Sequence, residues 1–157
     1  MRVQGQQSLP IDQQAAWNLL LDTEVLARAL PGCESLSPVG PDEYQMKMKL
    51  AISSIQGMFS GKIRMEDKNP PYSYRLHIDG QGKLGFLRGA GVLTLSPEPG
   101  GTRIDYSGEV QISGLLATVG ERMLDMTTKM MIKRFFKGLL EETKAPASPE
   151  KSPDGIT

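Results

Sequence analysis

Few side chains in this sequence could carry out acid–base or covalent chemistry. His77 is the single histidine, and it alternates with Arg75 and Asp79 on the polar side of a predicted strand. Cys33 is the single cysteine and lies in a predicted turn after a Pro-Gly pair. A zinc site needs several histidine or cysteine ligands, and a nucleophilic thiol needs a neighbouring base. We therefore predict no catalytic residue, no metal site and no bound cofactor.

The charge balance and the glycine spacing exclude two further classes of protein. Lysine plus arginine equals aspartate plus glutamate, 18 each, so the net charge is zero. Nucleic-acid binding needs a basic surface, and nucleotide binding needs a GxGxxG or P-loop spacing that the sequence lacks. We expect neither ligand.

The compartment is predicted from three features that the sequence lacks. A single cysteine cannot form an intramolecular disulfide, which suits a reducing compartment. The first residues contain no apolar segment typical of a secretory signal. No run of about 18 apolar residues is available to span a membrane. We therefore expect a cytoplasmic protein.

The elements that position the side chains can be predicted from their periodicity. Apolar residues alternate with polar ones, as in half-buried antiparallel strands, over Glu43–Ile52, 57–66, 72–79, 82–95 and 102–112. The glycines of segment 82–95 indicate a strongly curved sheet. Helices are expected over Gln13–Leu21, capped by Asp12, over 23–30 and over about 114–142.

This order of elements predicts an α+β fold. A curved antiparallel sheet of about six to seven strands would wrap around a long C-terminal helix, with two short helices after the first strand. Residues 1–142 would form one domain. Residues 143–157 are rich in proline, serine and lysine, and are predicted to be a disordered polar tail.

The order of elements also resembles the helix-grip fold of the START-like (SRPBCC) superfamily. Several short motifs occur in sequence order: Trp17, then Leu30-Pro31-Gly32-Cys33, then the segment 55–63 (IQGMFSGKI), then Gly100-Gly101-Thr102, then the segment 112–116 (ISGLL). Together they resemble the carbon monoxide dehydrogenase G-subunit family over about residues 2–140.

The resemblance implies an accessory protein of a molybdenum hydroxylase, one that attaches the enzyme to the membrane or carries a lipophilic electron acceptor such as a quinone. We therefore predict non-catalytic binding of a hydrophobic small molecule, a quinone or a lipid. One alternative is an adaptor with a filled core that recruits the enzyme to the membrane through its C-terminal helix. Another is a small-molecule cyclase or hydrolase. Some members end in a hydrophobic anchor, whereas this tail is polar.

The predicted cavity is lined by inward-facing apolar and tyrosine side chains. Methionine, which adapts to irregular apolar ligands, is frequent, with nine residues. The predicted lining residues are Tyr44, Met46, Met48, Phe59, Ile63, Tyr74, Leu76, Phe86, Tyr106, Val110, Met123, Met126 and Met130. The tyrosine hydroxyls could donate to a ligand head group. The alternative, in which the methionines simply fill the core, remains open.

The end of the long helix is apolar on both sides. A second apolar stripe surrounded by cations predicts a surface that docks on the membrane or on a partner enzyme: Ile132, Lys133, Phe136, Lys137, Leu139 and Leu140. Docking on lipid would place the protein at the inner face of the membrane. The alternative is that the N-terminal strand, the first helices or a second copy of the chain, as a homodimer, covers the stripe.

Overall fold

Seven antiparallel strands form one sheet in the computed structural model, which describes residues 1–144. The strands are β1 (Arg2–Leu9), β2 (Cys33–Gly40), β3 (Glu43–Ile52), β4 (Ile55–Asn69), β5 (Ser73–Gly82), β6 (Gly85–Glu98) and β7 (Gly101–Ser113). They lie in the order β1-β7-β6-β5-β4-β3-β2. Two helices, α1 (Gln13–Leu21) and α2 (Thr23–Ala29), follow β1, and α3 (Glu121–Lys144) ends the described chain. The predicted fold class is confirmed.

The alternation of side chains fixes which face of the sheet is buried. On β3, Met46, Met48 and Leu50 are buried, whereas the intervening Gln45 and Lys47 are exposed. Burying a large apolar side chain contributes about 1.5–3 kcal/mol, so a slip of one residue would expose the whole apolar set. The apolar side is the concave face that α3 crosses, and the polar side is the convex face.

The two short helices begin at aspartate caps. The Asp12 carboxylate accepts a hydrogen bond from the N–H of Ala15 at 2.8 Å, as the sequence predicts. The Asp22 carboxylate accepts from the N–H groups of Glu24 and Val25 at 3.0 and 3.2 Å. These bonds satisfy amide groups that a helix start leaves without partners.

The buried side chains form two separate cores. The first core joins α1, α2 and the end of α3 to the sheet: Leu9, Ala16, Trp17, Leu20, Val25, Leu26, Ala29, Met65, Tyr74, Leu93, Leu95, Ile104, Phe136 and Leu139. The second core lies under β3 and β4: Met46, Met48, Leu50, Ile52, Phe59, Ile63, Leu84, Leu116 and Leu124. Half-buried Leu36, Tyr44 and Leu76 contact both cores.

The long helix starts later than the sequence pattern predicts. Residues Leu115–Val119 form a short 3₁₀ helix between Gly114 and Gly120, which have φ angles of +88° and +98°. Only glycine adopts such angles readily, so these two residues separate the 3₁₀ helix from α3. The helix continues to Lys144, two residues beyond the predicted end. Apart from Thr143 and Lys144, the predicted tail lies outside the described residues.

The predicted docking stripe at the end of α3 is largely covered, so that prediction is wrong. Phe136 and Leu139 are 5% and 0% exposed in the first core, and Ile132 and Leu140 are half-buried against it. The covering elements include α1 and α2, which is one of the alternatives that the sequence left open. Among the stripe residues, only Lys133 and Lys137 are exposed.

Helix α2 approaches α3 closely enough to require a small residue. A Cβ atom at Gly138 would lie 3.1 Å from both Cα and Cβ of Ala29. Beside this crossing, the Arg28 guanidinium donates two hydrogen bonds to the Glu142 carboxylate, at 2.9 and 3.0 Å. The hydrogen bond from Arg28 lowers the pKa of Glu142 below its ordinary value. The two helices are therefore joined by apolar contact and by a paired charge.

We expect Leu139→Ala to lower the free energy of unfolding by about 2–5 kcal/mol, because it removes a fully buried side chain from the first core. The matched variant Met130→Ala, on the exposed side of the same helix, should cost less than about 0.5 kcal/mol. Urea denaturation followed by circular dichroism measures both values. Equal costs would contradict this orientation of α3.

Candidate functional site

Most of the predicted lining residues lie on the concave face. Five of them are buried in the two cores: Met46, Met48, Phe59, Ile63 and Tyr74. Four others are half-buried: Tyr44, Leu76, Tyr106 and Val110. The buried five are structural, whereas the half-buried four present surface that a small molecule could contact.

An apolar strip lies in the middle of the concave face, and two of its members, Ile78 and Ile112, pack against the second core. We call the strip the apolar cleft: Ile78, Leu87, Gly89, Val110 and Ile112, all half-buried. Gly89 lies opposite Ile78 on one side and Val110 on the other, and Leu87 lies opposite Ile112. Helix α3 approaches α2, β1, the 3₁₀ helix and β3 most closely, so its nearest strands lie towards the edges of the sheet. The centre of the sheet is therefore only partly covered.

Glycines form the floor of this region. Gly80 of β5 faces inward, as do Gly89 and Gly91 of the neighbouring strand β6. Gly108 of β7 lies directly opposite Gly91. A Cβ atom at Gly89 would meet its nearest neighbours at 3.7–4.0 Å, which is ordinary van der Waals contact, so a methyl group fits there without a clash. In the sequence, the β6 glycines indicate curvature only. The sequence does not reveal the cleft, because glycines on different strands come together only through the pairing of those strands.

Two tyrosines on the concave face are held in their neutral form. Tyr74 is 3% exposed with its ring edge-on to Trp17, and burial is the main cause that raises its pKa. Tyr106 lies over Gly5 and stacks on Phe136 with ring centres 5.5 Å apart, and burial raises its pKa too. Both hydroxyls keep their protons at neutral pH and can donate hydrogen bonds.

Phe86 faces away from the cleft, so its predicted role as a lining residue is wrong. It lies opposite Gln81 on the convex face and is 38% exposed. The Arg88 guanidinium lies 5.3 Å from the centre of its ring. Phe86 and Leu87 are adjacent, so only one of them can point inward. The sequence pattern did not decide between them, and the structure places Leu87 inward.

Three predicted lining methionines face solvent. We call Met123, Met126 and Met130 the methionine ridge; they are 38%, 60% and 45% exposed. The prediction failed because the larger apolar set at the end of α3 sets the rotation of the whole helix. With Phe136 and Leu139 buried, a turn of 3.6 residues places the three methionines on the opposite side.

Titratable chemistry is sparse on the concave face. Within residues 1–144, Thr102 is the only polar or charged residue that is buried, and its hydroxyl donates to the carbonyl of Ile11 at 2.8 Å. The same residues contain no group of three histidine, cysteine or acidic side chains placed to hold a metal. His77 is on the convex face, 2.9 Å from the Glu66 carboxylate. Burial raises the pKa of the Cys33 thiol, which keeps it protonated.

A curved sheet that holds a C-terminal helix at its edges, above a partly open apolar centre, defines a helix-grip protein of the START-like class. A conserved protein from Geobacillus kaustophilus has the same fold with a TM-score of 0.86 and 31% identity, over 90% of this chain and 94% of that one. The chain belongs to the carbon monoxide dehydrogenase G-subunit (CoxG) family, whose model matches residues 5–143. The predicted family is confirmed.

More distant relatives share the fold alone. Ara h 8.0201 is 13% identical, with a TM-score of 0.65 over 90% of this chain and 96% of that one. The di-domain aromatase/cyclase StfQ of the steffimycin biosynthetic pathway is 10% identical, with a TM-score of 0.65 over 89% of this chain and 49% of that one. Among curated protein sequences, none matches this chain significantly. In the described residues, every helix is too short or too polar to cross a membrane.

We expect Tyr74 and Tyr106 to ionise at higher pH in the folded protein than in the unfolded chain, because burial raises the pKa of both. Because their folded pKa lies above the unfolded value of about 10, their contribution to stability is complete below that pH and is lost as pH rises through the folded pKa. Alkaline titration of tyrosinate absorbance, with Tyr74→Phe and Tyr106→Phe, identifies the late steps. If every tyrosine titrated together near pH 10 in the folded protein, the burial of these hydroxyls would be disproved.

Proposed function

We propose that this protein binds a hydrophobic small molecule, a quinone or a lipid, in the apolar cleft. In this role it would serve as a non-catalytic accessory protein of a carbon monoxide dehydrogenase-type molybdenum hydroxylase. The observation that carries the proposal is the strip of apolar side chains around Gly89 in the middle of the concave face, which stay only half-buried. Membership of the CoxG family supports the accessory role.

The cleft favours an apolar occupant for an energetic reason. Full burial of a large apolar side chain contributes about 1.5–3 kcal/mol to stability. The cleft side chains are only half-buried in the free protein, so they contribute only part of that energy. A ligand that covers Ile78, Leu87, Val110 and Ile112 would supply the rest. Pockets for small molecules typically combine such apolar walls with a few polar groups.

The polar groups beside the cleft suit binding better than proton transfer. Tyr44 and Tyr106 are half-buried on the concave face, and their hydroxyls could donate to the carbonyl oxygen of a quinone or a lipid ester. Tyr74 is packed against Trp17 in the first core and is less accessible. A cyclase or hydrolase would need an acid or base aimed at its substrate.

Gly89→Leu should abolish ligand binding because the new side chain would occupy the cleft. The matched control is Ala90→Leu, which places the same side chain on the convex face one residue away. Binding is measured by organic extraction and mass spectrometry after incubation with a long-tailed quinone or a fatty acid. Wild type and Ala90→Leu should retain the ligand, and Gly89→Leu should not.

The stability of the same variant separates the carrier from an adaptor with a filled core. In an open cleft, Gly89→Leu should leave the free energy of unfolding unchanged or raise it, since glycine weakens a strand interior. In a filled core, overpacking should lower it by about 1–3 kcal/mol. A destabilised Gly89→Leu, together with a wild type that takes up neither ligand, would refute the carrier role.

The methionine ridge supports docking as a second function, on a different side of α3 from the stripe predicted from sequence. Exposed Met126 and Met130 are followed on the same face of the helix by exposed Lys133 and Lys137. Apolar side chains next to cations are typical of helices that lie on an anionic lipid surface. In this proposal the helix would bring the cleft to the membrane that holds its ligand.

Replacing Met126 and Met130 by glutamate should reduce co-sedimentation with anionic phospholipid vesicles at least about ten-fold, because it removes apolar contact and adds like charge. Phe86→Glu together with Met58→Glu is the matched control, since it makes two such changes at exposed apolar residues on the convex face. Unchanged vesicle binding by the double variant would rule out the ridge as the docking surface.

A further inference from the structure

A groove of about 770 Å³ crosses the convex face, on the side of the sheet opposite the apolar cleft. It runs over strands β2 to β6 and is lined mainly by polar side chains, among them Ser35, Ser37 and Ser60. The family relationship and the proposed cleft ligand assign no role to this face. A concave, polar surface of this size is large enough to hold several residues of another chain.

The groove carries an excess of positive charge. Four cations line it, Lys47, Lys62, Arg64 and Arg88, against a single lining carboxylate, Asp79. Asp79 accepts from Arg88 at 3.2 Å, and Glu66 beside the groove pairs with Arg64 at 2.7 Å. For Lys47 and Lys62, the described part of the chain provides no carboxylate within 4.0 Å. Asp79 lies directly opposite Lys62 but forms its ion pair with Arg88, so the excess positive charge is centred on the two lysines.

Lys47 and Lys62 are also neighbours on the surface of the sheet. Lys47 lies opposite Ser60, and Lys62 lies opposite Gln45, so the two lysines are diagonal partners on one face. Diagonal partners in an antiparallel pair are about 7–8 Å apart, so both ammonium groups can reach one extended ligand. Since the whole chain has zero net charge, this excess is local. It points to an anionic partner.

The shape of the groove and the number of its unpaired lysines favour one class of anionic partner over the others. A lipid bilayer is flat on this scale and would not fill a concave groove. A nucleic-acid backbone is usually met by more cations than two free lysines. In an extended peptide, side chains at alternate positions lie on one face about 7 Å apart, since each residue adds about 3.3–3.4 Å. That spacing matches the diagonal of Lys47 and Lys62.

We propose that the convex groove binds an extended acidic segment of a partner protein. Carboxylates at alternate positions of the segment pair with Lys47 and Lys62. The hydroxyls of Ser35 and Ser37 at the edge strand are available to hydrogen-bond the segment, and the Phe86 ring under Arg88 offers it an apolar contact. The site does not depend on what the apolar cleft holds, because it lies on the opposite face of the sheet.

The test uses the full chain and a fluorescent eight-residue peptide that alternates glutamate with serine. We expect fluorescence anisotropy to show binding at low salt that weakens as salt is raised, because the contacts are exposed charge pairs. Lys47→Gln together with Lys62→Gln should weaken binding about ten-fold or more. Both side chains are exposed on the strand surface, so the double variant should fold normally, and circular dichroism checks this.

Two controls make the result specific. Lys133→Gln with Lys137→Gln removes the same charge from exposed positions on α3 and should leave peptide binding unchanged. A peptide in which glutamine replaces glutamate should not bind. The proposal is overturned if the glutamate peptide fails to bind the wild type, or if the two double variants lose binding equally. It is also overturned if Lys47 and Lys62 are needed for binding anionic vesicles or single-stranded DNA but not the peptide.

Discussion

The burial of the last turns of α3 against α2 is the constraint on which the other surfaces depend. Phe136 and Leu139 enter the first core, and Gly138 allows Ala29 to approach within a distance that a side chain would prevent. A rigid helix has one rotation about its axis, so fastening its C-terminal half also orients its N-terminal half. The methionine ridge faces solvent for this reason, and Leu124 enters the second core on the opposite side.

The apolar cleft follows from the same arrangement combined with the glycines of the sheet. Helix α3 approaches the sheet most closely towards the edges of the sheet. The central strands of the sheet carry inward-facing glycines in place of large side chains: Gly80, Gly89, Gly91 and Gly108. A close-packed interior would close such a gap, since protein cores leave few voids larger than water. Because these positions carry no side chain, the apolar residues around them are only half-buried, although Ile78 and Ile112 pack against the second core.

The sequence predicts strands β3 to β7 and the concave positions of β3 to β5, because period-two alternation is a local property of each strand, and short motifs predict the family. Strand β2 lacks this alternation, so the prediction that its first residue, Cys33, lies in a turn is wrong. Prediction from sequence also fails where two sets of apolar residues could each face inward and the tertiary packing determines which of them does. Phe86 and Leu87 are both apolar, and the register with β5 decides which faces inward. The rotation of α3 depends on whether Phe136 and Leu139 or the three methionines are covered, and the covering helices α1 and α2 lie more than a hundred residues away in the chain. The lone charges of the convex groove are likewise visible only after pairing is known, because Arg64 and Arg88 find carboxylates and the two lysines do not.

The three surfaces occupy different sides of the molecule, and their chemistries are complementary. The cleft is apolar on the concave face, the ridge is apolar with basic neighbours on the outer side of α3, and the groove is polar and basic on the convex face. An accessory protein that passes a hydrophobic molecule between a membrane and an enzyme must contact both without blocking its own ligand site. The sheet makes this possible because alternate residues of the same strands serve the two faces: Met46 and Ile63 support the concave side, while Lys47 and Lys62 beside them point to the other. A partner held at Lys47 and Lys62 would therefore leave the cleft and the ridge free.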